Sequence, residues 1–151
     1  MKKLILSFLL ITFSMLSNAQ EIKWLTLNEA LTLQKKMPKP IFMDVYTDWC
    51  GPCKMLDAKT FKDKAFVALI SKKYYAVKFN AEGNGDVTYK KKKYINPEFQ
   101  QGQKGRNGTH QFTEFLKLEG YPTMVIFNKK GAISKNIVGY RTATEILAEL
   151  N

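Results

Sequence analysis

Cys50 and Cys53 are the only cysteines in the chain, and they sit in the run Trp49-Cys50-Gly51-Pro52-Cys53-Lys54. Two thiols three residues apart, where an apolar strand gives way to a helix, can close into a disulfide and open again. Thiol–disulfide exchange is the chemistry this spacing supports. Cys50 falls at the helix entrance, where unpaired backbone N–H groups and the helix dipole favour a thiolate. Pro52, expected at the first helical position, lacks the N–H that would be orphaned there and pre-shapes the turn. Cys53 lies one turn on, on the same helical face, so its sulfur reaches Cys50. The expectation is an exposed, nucleophilic Cys50 and a resolving Cys53 shielded by the helix.

A buried resolving thiol needs a base. Asp44 is the candidate, because a carboxylate inside the apolar run Ile41-Phe42-Met43-Asp44-Val45-Tyr46 is costly unless partnered or functional. Strand alternation sets it on the face of Phe42 and Tyr46, just upstream of the cysteines. The bland alternatives are a carboxylate at a wet strand end and a cysteine pair that is a static crosslink or a zinc half-site. A crosslink over so short a loop restrains little chain. Zinc takes four ligands, and His110 is the only histidine, so no metal is expected.

The elements that must position these residues follow from periodicity and caps. Ile22–Leu25 reads as a short strand, and Thr26 with Glu29 has capping-box spacing for a helix to about Lys36, ended by Pro38 and Pro40. After strand 41–46 come a helix over about 52–59 and another from an Asp63 cap to about Lys72. Residues 74–80 form a second core strand, and 121–127 and 132–140 flank an Asn-Lys-Lys-Gly turn as a hairpin. Thr142 and Glu145 repeat the capping-box spacing for a last helix. Segment 81–119 is irregular; Val87–Ile95 can pair as a small hairpin, and 109–118 reads as a helix with Phe112, Phe115 and Leu116 on one face. Asn107-Gly108-Thr109 matches a glycosylation acceptor, a match too short to carry weight. The pattern is α/β: a central mixed sheet flanked by helices on both faces.

Residues 1–19 have the basic start, apolar run and small-residue end of a secretory signal peptide, with an apolar stretch short for a membrane span. Removing them leaves 132 residues, enough for one domain, with a net charge of +9 against +11 for the whole chain. The product is expected to be exported, to the periplasm or beyond the cell, with no stable membrane insertion after cleavage. Its charge, including Lys90-Lys91-Lys92-Lys93, reads as solvated surface. No recognition motif points to nucleic acid.

Residues Asp44 to Lys54, with Gly120-Tyr121-Pro122-Thr123 downstream, resemble the thioredoxin family. The stretches 39–44 and 60–63 also resemble the periplasmic C-terminal domain of the transmembrane reductase DsbD, and Gly-Tyr-Pro-Thr is similar to the proline loop of protein disulfide isomerases. The resemblance implies a thioredoxin fold over residues 20–151, with an insertion at about 81–109 before a cis-proline loop. It implies that Cys50–Cys53 is a redox-active disulfide, with no other cofactor. It further implies that Pro122 is cis and lies against the cysteines, that the Tyr121 backbone hydrogen-bonds an extended substrate, and that Lys78 tunes Asp44. Trp49, Gly51 and Pro52 would shape the site. Tyr121 departs from the aliphatic residue usual in thioredoxin.

The implied activity is reduction of disulfides in client proteins, with electrons from a membrane thiol–disulfide reductase. The Gly-Pro pair favours reduction, since thioredoxin lies near about −270 mV and strong oxidants near about −120 mV. An oxidase or isomerase on the same framework stays open, as does a redox-independent peptide-binding or chaperone module.

Overall fold

The computed structural model describes residues 21–150; the signal-peptide reading of residues 1–19 lies outside the described residues. Along the chain come β1 (Trp24–Leu25), α1 (Leu27–Lys36), β2 (Ile41–Tyr46), α2 (Gly51–Ala58), α3 (Lys64–Lys73), β3 (Tyr75–Asn80) and β4 (Val87–Tyr89). There follow β5 (Lys92–Tyr94), α4 (Gln111–Leu116), β6 (Thr123–Phe127), β7 (Ile133–Val138) and α5 (Ala143–Leu150).

Local chemistry sets the helix starts. The Thr26 N–H donates to Glu29 Oε2 at 2.8 Å while the Glu29 N–H donates to Thr26 Oγ1 at 3.3 Å, closing the capping box of α1. Thr142 and Glu145 repeat it at α5. Asp63 Oδ1 accepts the Phe66 N–H at 3.0 Å and starts α3.

Five strands form one sheet in the order β1-β3-β2-β6-β7, with β1, β3 and β2 parallel and β6 and β7 antiparallel. Central β2 is buried on both faces, which explains its nearly continuous apolar run. Ile41, Met43 and Val45 pack with Leu27 and Ala30 of α1 and Phe112 of α4. Phe42 faces the other way, against Leu56 of α2, Phe66 and Ile70 of α3, and Ile146 of α5. Helices thus cover both faces of a mixed sheet, as expected from the sequence.

The insertion is more than a polar excursion. β4 and β5 pair as a hairpin through a two-residue turn of left-handed backbone at Lys90 (φ 49°) and Lys91 (φ 65°). Val87, Tyr89 and Tyr94 point into the core, and Tyr94 and Tyr89 meet the Phe112 ring at 5.2 and 5.7 Å. The four-lysine run therefore spans the hairpin turn (Lys90, Lys91) and the start of β5 (Lys92, Lys93), all four exposed, with Lys93 paired to Asp86 at 2.6 Å.

His110 joins this hairpin region to α4. Its ring is fully buried; Nδ1 accepts the Phe112 N–H at 3.0 Å and Nε2 lies 2.9 Å from the Gly85 carbonyl. With Nδ1 accepting, the neutral Nε2–H tautomer satisfies both bonds.

Three expectations need adjusting. Strand β1 is two residues rather than four, because pairing with β3 begins only at Trp24. Strand β6 starts at Thr123 rather than Tyr121, since Tyr121 and Pro122 form a loop. Phe115 is 41% exposed at the rim, stacked on Phe112 rather than buried beside it.

Candidate active site

The chain leaves β2 at Tyr46 and turns through Thr47–Trp49 into α2. Cys50 is the N-cap of that helix, with an extended backbone (φ −74°, ψ 107°) and its Sγ accepting the Cys53 N–H at 3.2 Å. That N–H belongs to the first helical turn, where intrahelical acceptors are lacking. The two sulfurs are joined in a disulfide, S–S 2.07 Å, with Cα atoms 5.3 Å apart. Gly51 and Pro52 occupy the first and second helical positions, so Pro52 sits one place later than expected. Its missing N–H still falls where none would be bonded.

The expected contrast in exposure is not present. Cys50 is 3% exposed and Cys53 2%. Capping turns the Cys50 sulfur in towards the helix start, where its bonding partner also lies. The approach to that start is nevertheless open: Gly51 and Pro52 are exposed, and nothing lies within 4 Å of where a Cβ on Gly51 would stand.

Beneath α2, Asp44 of β2 is completely buried. The Lys78 ammonium donates to Asp44 Oδ2 at 2.7 Å and also to Asp57 Oδ1 of α2. Asp44 Oδ1 has no hydrogen-bond partner. Burial pushes the Asp44 carboxyl up to about 6, with the Lys78 charge opposing the rise. Burial alone would lower Lys78, but attraction to Asp44 and hydrogen bonds to both carboxylates outweigh it, and its pKa is raised. The rings of Phe61, Tyr46 and Trp24 lie 4.9, 5.0 and 5.1 Å from the same ammonium and hold it over this spot. Cys53 and Asp57 are four apart on α2 and share a face. The carboxylate–ammonium cluster therefore lies one helical turn from Cys53.

The proline loop closes the other side. The Tyr121–Pro122 peptide bond is cis, and Pro122 is buried with its carbonyl accepting the Gly139 N–H at 2.8 Å. The Tyr121 ring meets the Trp49 ring edge-on at 6.0 Å, which sets the loop beside the residue preceding Cys50. Trp49 and Tyr121 are both half-buried.

Three neighbours had no signal in the sequence. Glu82 Oε2 accepts the Trp49 indole N–H at 3.0 Å and the Asn107 N–H at 2.8 Å. The Arg106 guanidinium lies 4.2 Å from the Trp49 ring centroid. Asp57 holds the outer side of Lys78. No motif names these residues, and only the folded insertion and helix bring them to the site. Asn107, the glycosylation candidate, has its side chain bonded to both backbone groups of Gln100.

A family model for the thioredoxin-like domain matches residues 27–151. The chain belongs to the thioredoxin-like family. Among curated relatives of this thioredoxin-like chain, the thiol:disulfide interchange protein DsbD of Pectobacterium atrosepticum is 27% identical over 126 residues, 82% of this chain and 18% of that protein. DsbD of Vibrio vulnificus is 34% identical over 58 residues, 38% of this chain and 9% of that protein. The chain thus spans less than a fifth of these relatives. Among solved structures, a thioredoxin from Thermus thermophilus superposes with a TM-score of 0.62 at 18% identity, covering 86% of this chain and 85% of that one. A DsbH oxidoreductase gives 0.57 at 17% identity, covering 87% and 83%. These likenesses agree with the thioredoxin-like sheet order and layers. Among the described residues no helix is long and apolar enough to cross a membrane.

Proposed function

We propose that this thioredoxin-like thiol–disulfide oxidoreductase reduces disulfides in exported client proteins. What carries the reading is the Cys50–Cys53 disulfide at the start of α2, with the Cys53 N–H aimed at Cys50 Sγ. Once the pair is reduced, that N–H and the helix start favour a Cys50 thiolate.

Cys50 thiolate attacks one client sulfur, forming a mixed disulfide and releasing the other client sulfur as a thiolate that takes up a proton. Asp44 accepts the Cys53 proton; Cys53 then attacks Cys50 Sγ, restoring the internal disulfide and releasing the second client thiol. The client gains two electrons from the dithiol; one of its two protons comes from Cys53 by way of Asp44, which is thereby reset, and the other from solvent. A membrane thiol–disulfide reductase returns the electrons, a role the likeness to DsbD supports. An extended client chain would lie along Trp49, Tyr121 and Pro122, pairing with the Tyr121 backbone. Residues 1–19 direct export to the periplasm and residues 20–151 form the working domain; the redox-active disulfide is its only cofactor.

The test is equilibration of the purified protein with glutathione buffers, together with reduction of hydroxyethyl disulfide. The reductase reading expects turnover and a midpoint near about −270 mV; a value above about −180 mV moves the assignment to an oxidase or isomerase.

A further inference from the structure

Arg106 stands at the end of the insertion with its guanidinium 4.2 Å from the centroid of the Trp49 ring. The placement is fastened from both sides. Asn107, the next residue, gives its N–H to the same Glu82 oxygen that accepts the Trp49 indole N–H, at 2.8 and 3.0 Å. The Asn107 side chain closes the loop below by bonding the Gln100 N–H and carbonyl, each at 2.9 Å. One carboxylate oxygen therefore ties the catalytic-side indole to the backbone that carries Arg106.

The guanidinium sits over the indole ring, and its fork carries five N–H donors. Among the described residues the Arg106 side chain makes no ion pair and no hydrogen bond, and the residue is exposed. A planar cation with unused donors, held against the residue that precedes Cys50, fits a carboxylate in the two-pronged manner of arginine.

We propose that Arg106 is a specificity-determining residue that selects client disulfides flanked by Asp or Glu. The inference rests on the reductase reading above and adds no electron or proton to its cycle: the client carboxylate pairs with Arg106 while Cys50 attacks the neighbouring sulfur. The rival explanation is the general positive charge of the chain, which attracts any acidic peptide. A control separates them. Lys129 lies in the turn after Phe127, at the opposite end of β6 from Pro122, and its removal subtracts the same charge far from the site.

The experiment mixes prereduced protein, freed of added reductant, with three peptide disulfides of equal length carrying Glu, Gln or Lys beside the cysteines, and reads the second-order rate constant for their reduction. Wild type is expected to favour the Glu over the Lys peptide by about tenfold, the scale of one charge-assisted contact. Arg106→Gln brings that ratio several-fold down, Arg106→Lys keeps part of it, and Lys129→Gln matches wild type. Raising salt from about 0.05 to 0.5 M shrinks the wild-type ratio. Equal ratios in Arg106→Gln and Lys129→Gln, with the Gln peptide still reduced, overturn the inference alone. Absence of reduction of the Gln peptide overturns the reductase reading and the inference with it.

Discussion

The Lys78 ammonium lies 2.7 Å from Asp44 Oδ2, across neighbouring parallel strands whose register sets the two residues side by side. The bond satisfies one oxygen of a carboxyl that is otherwise sealed in the core. It does not cancel the cost of burial, and the Asp44 carboxyl stays at about 6. A group that changes protonation near neutrality suits a proton acceptor for a nearby thiol.

Stability should register that shift. The folded-state pKa of Asp44 is raised above the ordinary 3.8, so its contribution is full below about pH 4 and is lost as pH rises through about 6. Asp44→Asn removes the penalty. Urea unfolding should show the variant gaining on wild type between pH 4 and 7, by at most about 3 kcal/mol at 1.36 kcal/mol per unit. A difference that does not change with pH would count against a buried, titrating Asp44.

The kinetic counterpart concerns the second half of the cycle. Asp44→Asn should slow release of the mixed disulfide about a hundredfold, the lower range for a positioned base, and flatten its rise through about pH 6. Lys78→Met, which removes the opposing charge, should move that rise upward by about one unit or more. Rapid-quench measurement of thiol release across pH 5–8 reads both. Release at the wild-type rate in Asp44→Asn would remove Asp44 from the mechanism.

Glu82 should matter to the site without touching sulfur. Glu82→Ala strands the Trp49 and Asn107 N–H groups and should cost about 2 kcal/mol in urea unfolding. It should also change tryptophan fluorescence, since the Arg106 loop loses its anchor on the indole. Unaltered stability and emission would show that the insertion is not fastened there.

His110 has the opposite sign from Asp44. Burial lowers its pKa from the ordinary 6.5, so the neutral ring favours the fold above that value and the contribution is lost as pH falls through the folded-state pKa. Acid should therefore loosen the insertion first. Hydrogen-exchange protection factors for residues 82–110 should fall between pH 7 and 5 while those of β2 and β6 hold. A uniform decline across the sheet would contradict this assignment.

The parts legible in the sequence were those governed by local rules. The Thr26–Glu29 and Thr142–Glu145 boxes, the Asp63 cap and the buried run of β2 each state their own structure within a few residues. The spacing of Cys50 and Cys53 likewise reports a sulfur pair at a helix start. The burial of Cys50 was not legible, because it depends on which way the N-cap side chain turns. The role of the insertion was also hidden: Val87, Tyr89 and Tyr94 alternate with lysines and polar residues, and the lysine run outweighs that short period. Glu82, Arg106 and Asp57 reach the site through contacts distant in sequence, which no spacing rule records. His110 read only as a lone histidine, too few for a zinc site, whereas in the fold it caps α4.

The measurement closest to the central claim is capture on Cys50. Reduced Cys53→Ser protein, mixed with a peptide disulfide and analysed intact by mass spectrometry, should gain one peptide thiol, and digestion should locate it on residue 50. The adduct should persist, because nothing at residue 53 can displace it. If no adduct forms, or if residue 50 alkylates no faster than an ordinary thiol at pH 7, thiol–disulfide exchange at this site is contradicted.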